Sequence, residues 1–356
     1  MSIKVKFDES DWQRIERDWN AWWAGELDRP LVVLETIHPI SGIDWSQFTK
    51  FGLDTPVDAI LDNWQRIHEA THFHGDAYPK WWVNYGPGAM AAFLGSRVSW
   101  TPDTTWFHPL EGVQSLTDIR PTYDPTNPWW MRVQETTRRA VERWQDQVLV
   151  GITDIGGNLD ILASLRGSEK LLLDLSDAPQ EVDRLVSEIT PLWLRYYDEL
   201  EAVTSQVGRG NACWGPVWSP GKGYMLQCDF SYMISPRMFD RFVMPDLVAC
   251  CEHLDYAFYH LDGKGELPHL DQLLSIERLR GIQWQPGDGQ PNADHWLPLL
   301  AKIRDAGKLC QIYVNAEGAL TVQRELGGKG FLMHIVDETL FPEEADALIE
   351  LLRASR

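Results

Sequence analysis

Apolar residues recur at helical spacing over residues 9–26, where Trp12, Ile15, Trp19, Trp22 and Trp23 define one face. Gly25 and Pro30 close that helix, and the short run Leu31–Leu34 predicts a first strand. Residues 56–70 repeat the helical pattern, with Ile60, Leu61, Trp64 and Ile67 on one side. Residues 79–95 combine a glycine-proline turn with an apolar helix. Residues 101–128 are rich in Pro, Asp and Thr and predict a surface excursion. Beyond it the pattern becomes regular. Apolar runs at Val148–Thr153, Ala212–Trp214, Tyr256–Asp262, Gly281–Trp284, Leu309–Val314 and Phe331–Met333 alternate with helical segments. One long helix starts at Pro179, and Pro191 predicts a kink within it. Another starts at Ser235-Pro236, with serine as N-cap and proline at the first position. Further helices are expected near 269–278, 293–306 and 318–326, and a last one from Pro342.

Strands that read as continuous apolar runs are buried on both faces, which is the habit of parallel sheets covered by helices. Such strands alternating with helices predict an α/β fold, a TIM (β/α)8 barrel with an N-terminal helical extension. The whole chain, 1–356, is expected to form one domain. Its first hundred or so residues hold the extension, the first strand and the glycine-proline segment.

In such a barrel the C-terminal strand ends meet on one rim, where sites are built. Here those ends carry Asp154, His260, Asp262, Asp288, Asn315, Glu317 and His334. His260 and Asp262 lie two apart on one strand and so face the same side. Together with His334 they offer two imidazoles and a carboxylate, a set that can hold zinc with an open position, or ferrous iron. A hydrogen-bonded barrel histidine is the plain alternative for each. Glu317 and Asp154 are candidate acid–base groups, with helix capping as the competing role. Asp229 lies in a polar loop before the Ser-Pro helix, from where it could reach into the mouth or simply cap. Trp214, Trp284 and Asn315 are candidate substrate contacts.

Composition narrows the partners. Asp and Glu number 52 against 32 Lys and Arg, a net charge of −20, with no basic cluster. That excludes phosphate-backbone binding and disfavours anionic membranes. Five cysteines without a CxxC spacing fit a reducing, cytoplasmic setting. The N-terminus lacks an apolar signal core, and no apolar run is long enough to span a bilayer. The 18 tryptophans could serve packing or wall a cleft. There is no P-loop, GxSxG, HExxH or cysteine-based zinc cluster.

Several loose motifs arrive in a familiar order. They are Leu27-Asp-Arg-Pro-Leu-Val32, Gly86-Pro-Gly-Ala-Met-Ala-Ala-Phe-Leu-Gly95 and Val150-Gly-Ile-Thr-Asp-Ile-Gly-Gly-Asn-Leu-Asp160 with Leu165-Arg-Gly167. Then come Ser231-Tyr-Met-Ile-Ser-Pro-Arg-Met-Phe239, Val243-Met-Pro245, His260-Leu-Asp-Gly263, and Met333-His334 followed by Pro342-Glu343. The chain resembles the uroporphyrinogen decarboxylase superfamily, which includes the cobalamin-linked coenzyme M methyltransferases. The resemblance implies a TIM barrel, often homodimeric, with its site on the C-terminal rim. Decarboxylases carry Arg-Gln-Ala-Gly-Arg after the first strand, where this chain reads Glu35-Thr-Ile-His-Pro39. The methyltransferases carry His-x-Cys-Gly and a later cysteine as zinc ligands; Asp262 and His334 stand in their places. The first expectation is therefore metal-dependent methyl transfer of the corrinoid-linked type on a small molecule. The metal would be held by His260, Asp262 and His334, with zinc ahead of iron, and a corrinoid protein is the implied partner. The alternatives are a metal-free decarboxylase using His334, and a non-catalytic barrel that binds a corrinoid or a sugar.

Overall fold

The computed structural model describes residues 3–43, 52–101, 104–337 and 340–354. The chain opens with helix α1 (Glu9–Trp23), started by a capping box in which the Asp8 carboxylate accepts from the Ser10 and Asp11 amides. Its apolar face holds Trp12, Ile15, Trp19, Trp22 and Trp23, all buried. Strand β1 (Leu31–Ile37), helix α2 (Val57–Ala70) and strands β2 (Thr71–Gly75) and β3 (Lys80–Trp82) follow. A short helix α3 (Met90–Phe93) and the hairpin β4 (Arg97–Trp100) and β5 (Thr105–His108) lead to α4 (Pro128–Trp144) and β6 (Leu149–Gly151). Helices α5 (Asn158–Arg166), α6 (Ser168–Asp177) and α7 (Pro179–Thr204) come next, and α7 continues through Pro191. The second half alternates: β7 (Gly223–Leu226), α8 (Pro236–Phe242), α9 (Met244–His253), β8 (Tyr256–Asp262), α10 (Leu270–Ser275) and β9 (Leu279–Gln285). It ends with α11 (Leu297–Asp305), β10 (Leu309–Val314), α12 (Ala316–Leu326), β11 (Phe331–Ile335) and α13 (Pro342–Ala354).

Seven strands form one sheet in the order β2-β1-β11-β10-β9-β8-β7. Every neighbouring pair is parallel except β1–β2. Strands β3 and β6 form a separate parallel pair, extended by a bridge from Ile152 to Cys213. The fold is thus mixed α/β with a predominantly parallel sheet. Among the described residues no ladder joins β7 to β6 or β3 to β1, so the expected closed ring of eight strands is not seen as continuous hydrogen bonding. The two sheets nevertheless wrap one space, because β1, β3, β10 and β11 all contribute to the same cavity.

Helix α1 covers the opposite end of the sheet. Trp22 stacks on Phe258 and Trp23 meets Tyr256 edge-on, both at the start of β8. Arg280, at the start of β9, donates to the Trp23 carbonyl at 2.8 Å. Bulky indoles therefore seal the N-terminal strand ends and leave the C-terminal ends open. There the glycine-proline turn packs on the loop after β6. Gly88 and Gly156 both have positive φ, and a Cβ on Gly156 would lie 2.8 Å from the Gly88 Cα. The Ala89 amide donates to the Asp154 carbonyl across this contact. The 101–128 excursion contains β5 and buries Leu116 and Ile119, so part of it belongs to the core.

Candidate functional site

His260 and Asp262 close β8 side by side, with His260 Nε2 and an Asp262 carboxylate oxygen 4.0 Å apart. Gly263, at φ +79, then turns the chain away. Asp229, from the loop after β7, comes in beside them. One ligand atom from each of Asp229, His260 and Asp262 lies within 4.8 Å of the others. The imidazole is held from behind, since His260 Nδ1 hydrogen-bonds Gln283 Oε1 on the neighbouring strand. An amide oxygen only accepts, so Nδ1 is the donor in this contact and Nε2 is the nitrogen that faces the carboxylates. A donor-side partner of this kind is what a metal-bound histidine requires.

Further acids crowd this spot. Burial first, and Asp229 second, raise the Asp160 carboxyl well above its ordinary value. Burial first, then Asp229 and Asp160, raise Glu266 as well. Asp229 itself is raised by burial and by Asp262, against the pull of His260. Asp154 is buried, accepts from the Gly156 amide at 2.8 Å, and is pushed up to about 7 mainly by burial. Among the described residues none of Asp154, Asp160, Asp229 and Glu266 is ion-paired with a lysine or arginine. The Glu266 Oε1 atom is buried without a partner.

Next to the trio lies a cavity of about 300 Å³. Glu35 and Val33 of β1, Lys80 and Trp82 of β3, Tyr313 of β10 and His334 of β11 line it, with Trp214 and Pro216. Trp214 meets the His260 ring edge-on at 5.3 Å, and Tyr313 meets His334 at 4.9 Å. Gln283, which orients His260, also lies against the Tyr313 hydroxyl. Cavity and trio thus share walls. Glu35 is exposed where it borders the cavity, and the desolvation it meets there raises its carboxyl to about 7, with Lys80 opposing. Burial lowers Lys80 to about 8, with Cys213 and Glu35 opposing, and lowers His334 to about 4, helped by Lys80. At neutral pH the cavity therefore holds a neutral imidazole, a largely charged amine and a carboxyl near its midpoint.

The sequence-derived candidates divide accordingly. His260, Asp262 and Asp229 meet, and Asp154 lies behind them. His334 does not complete the metal set as expected: it sits inside the β11 ladder, paired with Tyr313 and Val33, and faces the cavity. Strands β9 and β10 separate it from β8, and the side chain that lies beside His260 and Asp262 is Asp229. Trp214 lines the cavity, whereas Trp284 is fully buried against Trp296 and does not. Asn315 caps α12 by accepting from the Gly318 amide at 2.8 Å. Glu317 is exposed beside it, in a hollow shared with Asp294 and His295 rather than with the trio. Glu35, Lys80, Tyr313 and Gln283 were not singled out by sequence. For Glu35 a signal existed, because a carboxylate directly after the apolar run Leu31–Leu34 is a strand-end acid like the others.

No protein-family model and no curated protein matches the chain. Among solved structures it is similar to a methyltransferase from Methanosarcina mazei, with a TM-score of 0.53 and 12% identity over 76% of this chain and 79% of that one. It also aligns with a B12-independent methionine synthase from a Shewanella species, solved with selenomethionine, with a TM-score of 0.38 and 12% identity over 73% and 75% of the two chains. The first likeness establishes a shared α/β fold.

Proposed function

We propose that the chain is a metal-dependent enzyme of the methyl-transfer type acting on a small molecule. The reading rests on one observation: Asp229, His260 and Asp262 converge within 4.8 Å, with the imidazole pre-oriented by Gln283. Two carboxylates and one imidazole make a hard oxygen-and-nitrogen set, suited to zinc or ferrous iron. Two buried acids without a cationic partner, Asp154 and Glu266, lie around them, which fits a cation as well. A divalent ion held by Asp229, His260 and Asp262 would supply Lewis-acid activation, lowering the pKa of a substrate heteroatom.

The chain's own groups do the remaining work. Gln283 holds the His260 tautomer, and Trp214 braces the ring. The cavity beside the trio takes the substrate, and Glu35, near its midpoint at neutral pH, can accept or return a proton. A second hollow of about 520 Å³ opens beside Asp229, with Trp106, Phe107, Phe230 and Met233 in its walls. Its apolar lining suits a bulky methyl donor, and a corrinoid protein is the donor that the family resemblance implies.

Metal analysis of untagged protein tests this directly. Wild type should carry stoichiometric zinc or iron, His260→Ala and Asp229→Asn should lose most of it, and His334→Ala should keep it. Turnover in His260→Ala should fall on the order of a hundredfold or more. Metal-poor wild type, with content unchanged in His260→Ala, sinks the reading. One observation favours a second reading, metal-free decarboxylation: Glu35 and the neutral His334 face one cavity and could pass a proton between them. Activity that survives complete chelation would select it. A cavity of 300 Å³ is at the small end for ligand sites, which favours a small acid over a tetrapyrrole.

A further inference from the structure

The cavity has an unusual combination of walls. Trp64, Tyr78, Trp81, Trp82, Trp214 and Tyr313 all line it. Aromatic faces carry negative quadrupole charge and attract cations, indole most strongly. Glu35 adds a carboxyl to the same surface. Lys80 supplies the opposite charge. Its ammonium donates to the Gly215 carbonyl and lies 3.5 Å from that of Trp214, and an ammonium has three donors to place. Glu35 and Lys80 influence one another's ionisation but form no ion pair. Neither charge neutralises the other across the cavity, and a ligand carrying both signs would satisfy both. Two more polar atoms on this cavity are also buried without partners: the Tyr78 hydroxyl and His334 Nδ1. Tyr78 lies close enough to feel the Glu35 charge, and His334 close enough to feel that of Lys80.

We propose that this cavity recognises a small zwitterion, a methylated ammonium compound that also bears an acid group. The ammonium end rests on the indole faces and Glu35. The acid end is taken by Lys80 with His334 beside it, while Tyr78 lies at the Glu35 pole, where its ring adds to the aromatic surface. This names the substrate class for the methyl-transfer reading and rests on it for turnover, but the binding itself needs no metal.

Tryptophan fluorescence and calorimetry on the full chain, metal-loaded and chelated, provide the test. The probes are glycine betaine, choline, which lacks the acid, and tert-butylacetate, which has carbon in place of the charged nitrogen. Betaine should saturate, and both analogues should bind roughly tenfold more weakly or worse. Lys80→Met should erase the preference for betaine over choline, and Glu35→Gln the preference for betaine over tert-butylacetate. Betaine binding that persists in chelated protein upholds the inference even if the metal reading fails. Equal affinity for betaine and tert-butylacetate, or no saturable binding of betaine at millimolar concentration by wild type, overturns it while leaving the metal result standing.

Discussion

Asp76 and Asp154 lie just past the ends of two strands, β2 and β6, and both are buried, yet their surroundings are opposite. Asp76 takes two hydrogen bonds from the Arg29 guanidinium, at 2.7 and 2.9 Å, and one from the Val32 amide at 2.9 Å. Arg353, from the last helix, reaches it at 3.2 Å, and Arg29 also holds Asp18. Every lone pair of that carboxylate is used, and the charge is balanced by cations from both chain ends. Asp154 has only neutral hydrogen-bond partners, the Gly156 and Gly88 amides and the Gln227 side chain, and its charged neighbours are acids, Asp229 and Asp160. A buried charge costs several kcal/mol unless it is paired. The chain meets that cost with cations at one strand end and with neutral hydrogen bonds alone at the other. The paired site ties α1, β1, β2 and α13 together. The unpaired one surrounds the place where three ligand atoms converge.

The largest expected effect breaks the paired side. Asp76→Ala strands Arg29 in a buried position with only Asp18 to offset it, and frees the β1 amide. Removing one partner of such a pair typically costs about 3–5 kcal/mol. Urea unfolding followed by circular dichroism measures it, and a loss below about 1 kcal/mol would show that Asp76 does not hold these elements together.

The unpaired side should respond with the opposite sign. The folded-state pKa of Asp154, about 7, lies above its ordinary value. Its contribution is therefore favourable at acid pH and is lost as pH rises from about 4 through 7. Asp154→Asn keeps an oxygen for the Gly156 amide and removes the charge. In chelated protein it should raise stability by about 1–3 kcal/mol near pH 8 and change little near pH 4. A variant destabilised at both pH values would mean that the hydrogen bonds from Gly156, Gly88 and Gln227 outweigh the cost of the buried charge.

This contrast was only partly legible in the sequence. Strand β8 was predicted with its bounds and with both rim residues, because seven residues with an apolar body and a polar tip constrain strand, direction and face together. The position of His334 was not, since strand pattern gives the face but not the height above the sheet's inner layers. Asp229 sits in a loop whose path depends on β7 and α8 packing, so sequence left its aim open. Lys80 was hidden for another reason. Strand β3 has three residues, two of them tryptophan, and too short a run shows no period. Buried Gln283 and Gln311, at the centre of a sheet that otherwise reads as apolar, break the local rule. In retrospect they were the sequence's sign of a polar interior.

The smallest effect sharpens the boundary of the site. Glu317 is an acid–base candidate by its place after a strand, but it lies in the first turn of α12, exposed, behind the Asn315 cap. There a carboxylate interacts favourably with the amide end of the helix, an effect of roughly 0.3–1 kcal/mol. Glu317→Gln should cost about that much at low salt, less at high salt, and leave metal content unchanged. Turnover should stay within about twofold of wild type, since nothing places this side chain against the trio or the cavity. A large loss of turnover with normal stability would move the site boundary out to the hollow beside Asp294 and His295. The contrast between paired and unpaired acids would then fail as a guide to where this chain does its chemistry, because an ordinary solvated carboxylate would be carrying part of it.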